Sequence, residues 1–335
     1  LELGLDITAF KSLSARINGY SRTSKNMLAE VPVDAAYGFT GKILNGMNVR
    51  NSGIELTLEN NFHLSPRLHW YTSLLMQYNR NKLLALPGGV TAMNYGQRRL
   101  EVGKPIDQFW LLQNNGIYNS DEEVPVSGSG KALTYNGVPF HAGDPRWSDI
   151  NNDGVIDDKD RVMQGHTQAP LRGGWNNTVQ YGKWTMDLSF SYALGNYLLN
   201  SEAASRFDFA NREGAEGLAG VKEITFWQQV PDAEKYPRYN PWSLVKPYQA
   251  EQTLFYEKAS WFRLQSVTLK HDLAGYSFVR QSGLRKLQAY ITAQNVFTLT
   301  PFHGGDPALA DYFGYNSGYA QPLPRTFTIG ITADF

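Results

Sequence analysis

The stretch Trp184-Thr185-Met186-Asp187-Leu188-Ser189-Phe190-Ser191-Tyr192-Ala193-Leu194 decides the fold. Its even positions are all apolar, and Thr185, Asp187, Ser189 and Ser191 stand between them. A period of two places every apolar side chain on one face of an extended strand. Outward from this stretch the pattern recurs. Leu1, Leu3, Leu5, Ile7 and Ala9 alternate with Glu2, Gly4, Asp6 and Thr8, and Leu13, Ala15 and Ile17 follow. Ile54, Leu56 and Leu58 form the next set, then Leu68, Trp70, Leu74, Met76 and Tyr78, and a further strand is expected over Trp175 to Tyr181. Trp261 to Leu273 reads as a strand whose phase slips between Leu264 and Val267, which predicts a bulge. Leu287, Ala289, Ile291 and Ala293 precede a last strand of Phe327, Ile329, Ile331, Ala333 and Phe335.

These nine strands have the length that a tilted strand needs to cross a bilayer, about 9–11 residues. A soluble sandwich also alternates, so the connections discriminate better. They are short near Lys11 and Ser12, from His63 to Arg67 and at Gly182, and moderate from Ala274 to Lys286. They are long from Thr23 to Arg50, Arg80 to Gly173, Gly195 to Ser260 and Thr298 to Pro324. Short turns on one side and long loops on the other mark an outer-membrane barrel. The fold class expected is therefore all-β, a transmembrane antiparallel β-barrel with long extracellular loops. With long loops outside, the last strand descends to a periplasmic end and Leu1 lies near the outer surface. An odd strand count beginning in mid-strand leads us to expect that other barrel strands are supplied by chain outside residues 1–335.

Composition narrows the function classes. Of 335 residues, 31 are acidic and 31 basic, which argues against a nucleic-acid surface. Without cysteine there are no disulfides, thiolate metal sites or cysteine nucleophiles. Mean hydropathy is −0.40, and no run of 18 apolar residues exists to form a membrane-spanning helix. Strands whose two faces average out are untouched by that test.

One local motif has metal-ligand spacing. From Asp149 to Asp160, oxygen donors fall at loop positions 1, 3, 5, 9 and 12 (Asp149, Asn151, Asp153, Asp157, Asp160), with Gly154 at position 6 and the carbonyl of Val155 at 7. Calcium wants six to eight oxygens on a tightly curved backbone, so a structural Ca2+ bracing the long loop is expected. The alternative is an Asx-rich turn held by its own hydrogen bonds. Asp160 stands where an EF-hand carries Glu, and no long flanking helices are evident.

No catalytic constellation is apparent, and the chain is expected not to be an enzyme. His63, His69, His141, His166, His271 and His303 show no ligand spacing, and Asp121, Glu122 and Glu123 read as a solvated loop. The aromatics divide in two. Trp70, Tyr78, Trp184, Tyr192 and Phe335 lie near strand ends, where interfacial girdles place amphipathic rings. Trp227, Tyr236, Tyr239, Trp242 and Tyr248 lie instead in the connection from Gly195 to Ser260. They form either a substrate or partner surface, since aromatics are enriched in binding surfaces, or the internal packing of a large loop.

Several segments taken together resemble the carboxy-terminal part of the SusC/RagA-like TonB-dependent outer-membrane transporters. They are Asn51-Ser52-Gly53-Ile54-Glu55-Leu56; Gly143-Asp144-Pro145-Arg146-Trp147-Ser148-Asp149 running on to Asp160-Arg161; and Ala259-Ser260-Trp261-Phe262-Arg263-Leu264 with Val267-Thr268-Leu269. Gln294-Asn295-Val296-Phe297-Thr298, Gly305-Asp306-Pro307 and Pro324-Arg325-Thr326-Phe327 complete the set. The resemblance implies a roughly 22-stranded barrel and an amino-terminal plug that engages TonB and is not visible in residues 1–335. It also implies a SusD-like surface lipoprotein over the loops, and import of glycans or peptides across the outer membrane. The whole of 1–335 is expected to be barrel, with outer-membrane lipid and the remaining barrel and plug segment as its neighbours. Two alternatives stay open on the residues: a TonB-dependent receptor for a siderophore or cobalamin without a lid, and a secreted β-sandwich adhesin or sugar-binding module braced by calcium.

Overall fold

The computed structural model describes residues 1–10, 12–34, 36, 38, 41–95, 98–126, 130–206, 226–228, 236–238, 243–318 and 320–334. Nine strands build one sheet: β1 (Glu2–Ala9), β2 (Leu13–Pro32), β3 (Gly41–Ser65), β4 (Leu68–Ala85), β5 (Leu171–Tyr181), β6 (Trp184–Leu194), β7 (Trp261–Asp272), β8 (Lys286–Leu299) and β9 (Thr326–Asp334). Each pairs antiparallel with its sequence neighbours, a meander from β1 to β9 with no crossover. All nine strands expected from alternation are present. The slip in β7 is real: its register shifts against β8 between Leu264 and Ser266, and against β6 between Ser189 and Phe190.

Register carries the alternation across the whole sheet. Leu3 lies opposite Gly19, which faces Ile54, then Tyr78, Leu171 and Leu194. Direct cross-strand partners share a face, so this row and the rows two residues away form one apolar surface. It includes Ile7, Leu58, Leu74, Trp175, Phe190, Ile291 and Ile329. Much of it is bare, with Leu3 70%, Ile291 53% and Ile329 80% exposed. A soluble protein rarely exposes an apolar face of this extent, whereas a barrel covers it with lipid. Rings gather on it: Phe62 stacks on Trp70 at 5.0 Å beside a short turn, and Trp175, Phe190 and Phe262 stack in series at 5.3 and 5.2 Å across three strands. Trp70 and Trp184 mark the short-turn end of this face and Tyr78 and Tyr192 the long-loop end, which fits the girdle expectation; Phe335 lies outside the described residues.

One expectation differs in form. Thr23 to Arg50 is not a loop but the extension of β2 and β3, which run 20 and 25 residues and pair as far as Pro32 and Gly41. At about 3.3 Å per residue, 20 residues reach some 66 Å, well beyond a hydrocarbon core of about 30 Å. The hairpin therefore stands out of the bilayer, and its tip residues Leu28 and Ile43 are exposed.

The buried core lies in the long connections rather than the sheet. After β4, the chain packs Leu112, Tyr118, Val124, Leu133, Phe140, Trp147 and Ile156 into one cluster with Val245. A second cluster joins the hairpin base to this region through Ala29, Val49, Leu83, Leu86, Met93 and Leu100. A third gathers Phe109, Leu111, Leu199, Ala204 and Phe255. The long loops thus form a packed cap over one end of the sheet. Among the described residues no helix is long and apolar enough to span a membrane.

Candidate functional site

The opposite face of the sheet is polar and laced by cross-strand pairs. Arg16 meets Asp6 at 2.8 Å, Thr178 donates to Asp187 at 2.7 Å, and Lys270 reaches the other Asp187 oxygen at 2.7 Å. Ser189 donates to Asn176 at 2.8 Å, and the hydroxyls of Thr268 and Thr292 lie 2.9 Å apart. These groups come from the positions between the lipid-facing residues, as a barrel lumen requires.

Where this wall meets the cap, buried polar contacts fix the loops. Arg263 of β7, 5% exposed, grips both carboxylate oxygens of Asp306 at 2.5 and 2.7 Å and donates to Thr298 at 2.8 Å. One guanidinium nitrogen, Nη2, is shared between the two oxygens while Nε turns to Thr298, and such charge-assisted bonds are stronger than neutral ones. The pair holds the connection between β8 and β9 down onto the wall. Asp107 is the second anchor. Its side chain accepts from Asn81 of β4 at 2.7 Å and lies 3.3 Å from His166 Nδ1. Burial alone would raise this carboxyl, but the bonds from His166, Asn81 and the Gln168 backbone outweigh it and hold it below the ordinary range. Arg98, 6% exposed, donates to the Phe313 carbonyl and lies over the Phe313 ring.

Between wall and loops these anchors leave a cleft of about 620 Å³. Glu55, Gln77 and Arg172 line it from the sheet, Asn196 and Trp261 from the flanks of β6 and β7, and residues 307–311 from the held-down loop. Its size lies within the range of small-molecule sites, about 300–1,000 Å³.

The Asp149–Asp160 loop is held by the turn bonds its composition suggests. Asp149 Oδ2 accepts from the Gly154 N–H at 2.9 Å, Asn151 from Asp153 at 3.0 Å, Asp153 from Val155 at 2.9 Å and Asp157 from Lys159 at 2.7 Å. Asp160 is fully buried, and both its oxygens accept backbone N–H bonds, from Ile150 and Asp157, each at 2.8 Å. Lys159 lies 3.2 Å from Asp157 and 3.7 Å from Asp153. Asp149 Oδ1 is buried with no hydrogen-bond partner among the described residues, which fits a cation. No group of three or more His, Cys, Asp or Glu among the described residues is arranged to hold a metal.

Of the loop aromatics, three are described and all pack inward. Trp227 is 7% exposed and lies over Gly143, whose φ of +90° and lack of Cβ admit the ring. Tyr236 and Tyr248 lie against the cluster of Phe109, Leu111 and Leu199, and Tyr248 donates to the Pro237 carbonyl. Tyr239 and Trp242 lie outside the described residues. The neighbouring Gly143 to Asp149 motif supplies core: Pro145 and Trp147 are buried, and the Trp147 indole donates to fully buried Gln252 at 2.8 Å.

No family model matches the chain. It is 25% identical over 353 residues to TonB-dependent receptor P26 of Formosa agariphila, covering 100% of this chain and 34% of the receptor. It is 23% identical to the TonB-dependent receptor SusC of Bacteroides thetaiotaomicron, covering 96% of this chain and 30% of SusC. Among solved structures, the RagAB peptide transporter matches with a TM-score of 0.76 at 21% identity, over 98% of this chain and 34% of that one. The RagAB peptide importer in its open-open state gives 0.75 over 100% of this chain. The chain spans about a third of the length of these relatives. Its fold is that of a TonB-dependent transporter barrel, a segment of outer-membrane β-barrel wall with its extracellular loops. Within that class it is similar in sequence to SusC and in fold to RagAB, in line with the likeness carried by the motif set.

The sequence did not single out the Asp107 and His166 pair, Arg98, or the cleft around Asn196. Their partners lie far apart in the chain, as with Arg98 and Phe313, 215 residues distant. For Arg263 and Asp306 a signal existed, because both sit in segments that carry the family likeness.

Proposed function

We propose that this chain is the wall and mouth of a TonB-dependent nutrient importer that takes up glycans or peptides with a SusD-like lipoprotein over its loops. The observation that carries the proposal is the sheet itself: one bare apolar face, one polar hydrogen-bonded face, and a packed loop cap anchored to the polar face. A wall of this kind offers a wet passage inside a lipid-embedded shell, and the cap offers a surface outside it. The relatives named above are TonB-dependent receptors, and the RagAB match is a peptide transporter, which supports the uptake reading. In this reading TonB acts through a plug contributed by chain beyond these residues. The chain's own groups bind, orient and pass the cargo.

The test is uptake of labelled oligosaccharides and oligopeptides by cells that carry the whole transporter, with and without TonB. Uptake lost with TonB supports import. A SusD-like lipoprotein that co-purifies in stoichiometric amount in mild detergent supports the lid, and its repeated absence favours a receptor without one.

A structural Ca2+ in the Asp149–Asp160 loop belongs to the same proposal. It is supported by the unpartnered buried Asp149 Oδ1, and the ion would take the place that the Lys159 ammonium holds beside Asp153 and Asp157. Asn151 and the Val155 carbonyl would complete the set, with Asp160 bracing the loop through its two backbone bonds. The ion would stiffen the cap and supply no chemistry.

A further inference from the structure

We propose that Arg50, Arg80 and Lys82, on the lipid-facing side of the wall at its long-loop end, form a site for the phosphate headgroup of a lipid in the outer leaflet. The site lies on the opposite face of the sheet from the cleft and is independent of the cargo.

Register carries the assignment. Arg50 on β3 lies directly opposite Lys82 on β4, and Arg80 lies opposite Ser52, two residues nearer the bilayer. Ile54 and Tyr78, two residues further on, are opposite each other and belong to the apolar surface. Side chains two apart on a strand share a face, so the three cations continue the lipid-facing rows. Asn79 and Asn81, between them, turn the other way, Asn79 to Tyr20 and Asn81 to Asp107. All three cations are exposed. None has a carboxylate within ion-pair distance among the described residues, whereas Arg16, Lys270 and Arg263 are each held by an aspartate. What shares their rows is hydroxyl: Thr23 opposite Arg50, which donates to it at 3.4 Å, and Ser21 opposite Ser52, 3.2 Å apart. Like charges directly opposite on two strands destabilise the pairing. An anion set against Arg50 and Lys82 removes that repulsion, and guanidinium groups match the oxygens of a phosphate. Height then selects the source of the anion. From Leu68 to Tyr78, β4 rises about 33 Å, or about 25 Å across the bilayer at the usual strand tilt, the height of a barrel's apolar band. Arg80 and Lys82 take the next two outward positions, at headgroup level, and Arg80 lies 5.7 Å from the Tyr78 ring centroid. Lipid is the neighbour that the rows below already have, so a lipid phosphate is the anion that this patch meets.

The experiment uses the full-length transporter that carries this segment, purified in neutral detergent and stripped of lipid. Binding of monophosphoryl lipid A, and of the same lipid freed of its phosphate, is measured by native mass spectrometry. Wild type is compared with an Arg50→Gln, Arg80→Gln, Lys82→Gln triple variant and with Arg67→Gln, Lys183→Gln, Arg285→Gln, which removes three exposed cations from the short-turn end. Wild type is expected to prefer the phosphorylated lipid by at least about tenfold. The first triple variant should lose that preference and the second keep it. Lys82→Gln alone supplies a second reading. Without lipid it removes the repulsion from Arg50 and should raise the midpoint of urea unfolding; with phosphorylated lipid A present it should lower it. A heat-modifiable gel shift shows which variants keep the folded barrel, and the single variant keeps the test informative if the triple does not fold. The assignment is overturned if the two lipids bind alike, if the first triple variant keeps the preference, if both triple variants lose it equally, or if Lys82→Gln acts in the same direction with and without the lipid. Loss of a co-purifying protein from the first triple variant, with lipid binding intact, would give the patch to a protein partner and overturn it as well.

Discussion

Arg263 and Asp306 form an ion pair in which one guanidinium nitrogen lies 2.5 and 2.7 Å from the two carboxylate oxygens, between a wall strand and the loop that roofs the cleft, and both groups are largely withdrawn from solvent. Removing one partner leaves the other buried and uncompensated, which typically costs about 3–5 kcal/mol. Arg263→Ala and Asp306→Ala are therefore each expected to loosen the connection between β8 and β9 while the sheet survives. Limited proteolysis should show new cleavage between 300 and 325 with an unchanged heat-modifiable shift. Equal protease resistance in wild type and both variants would contradict the anchoring role.

Gly173 on β5 lies directly across from Tyr192 on β6, and the Tyr192 hydroxyl passes over it to donate to the Leu75 carbonyl on β4 at 2.9 Å. A Cβ on Gly173 would meet the Tyr192 hydroxyl oxygen at 2.6 Å and the Leu75 carbonyl closer still. Tyr20 and Gly53 on β2 and β3, and Tyr290 and Gly330 on β8 and β9, repeat the pairing. Gly173→Ala should cost about 1–3 kcal/mol through overpacking, and Tyr192→Phe about 1 kcal/mol for the lost bond. Urea unfolding followed by gel mobility measures both, and a Gly173→Ala protein as stable as wild type would remove the steric argument.

The depressed Asp107 carboxyl gives a pH dependence with a definite sign. Its unfolded pKa is near 3.9, and its folded value is lower because His166, Asn81 and the Gln168 N–H bond the charged form. The stabilisation is present in full above about pH 4 and is lost as pH falls through the folded value. Asp107→Asn should lower stability at pH 7 by about 1–3 kcal/mol and flatten the acid limb below pH 4. An acid limb of unchanged slope in Asp107→Asn would place the acid sensitivity elsewhere.

Calcium in the Asp149–Asp160 loop should stabilise the cap by about 2.7 kcal/mol at a hundredfold excess over its dissociation constant. Asp149→Ala should abolish the difference between calcium and chelator in thermal unfolding or proteolysis of the loops. Identical behaviour of the wild-type protein in both would show that the Asx turns and Lys159 hold the loop unaided.

Much of the wall was legible because the bilayer imposes a one-residue rule on each strand: apolar out, polar in. Leu287, Ala289 and Ile291 obey it, and even the bulge of β7 showed as a break in phase at Leu264. The rule lapses above the membrane, where both faces of a strand meet water, so Thr23 to Arg50 lost its alternation although the hairpin continues. The cap was illegible for another reason. Clusters such as Leu112, Tyr118, Trp147 and Val245 join residues more than a hundred positions apart, and no local period records them. The cleft inherits that obscurity, since its lining joins Asn196 and Trp261 to a roof at 307–311.

The account rests on which face of the sheet meets lipid, and cysteine scanning measures that directly, because residues 1–335 contain no cysteine of their own. Single cysteines at Ile291 and Ile329, and at their neighbours Thr292 and Thr328, would be reacted in intact outer membranes with a membrane-impermeant maleimide, and in proteoliposomes with an environment-sensitive fluorophore that lipid-borne quenchers can reach. The account predicts that 291 and 329 resist the aqueous reagent and are quenched from the lipid, while 292 and 328 show the opposite. The reverse pattern, or four positions equally open to water, would contradict it.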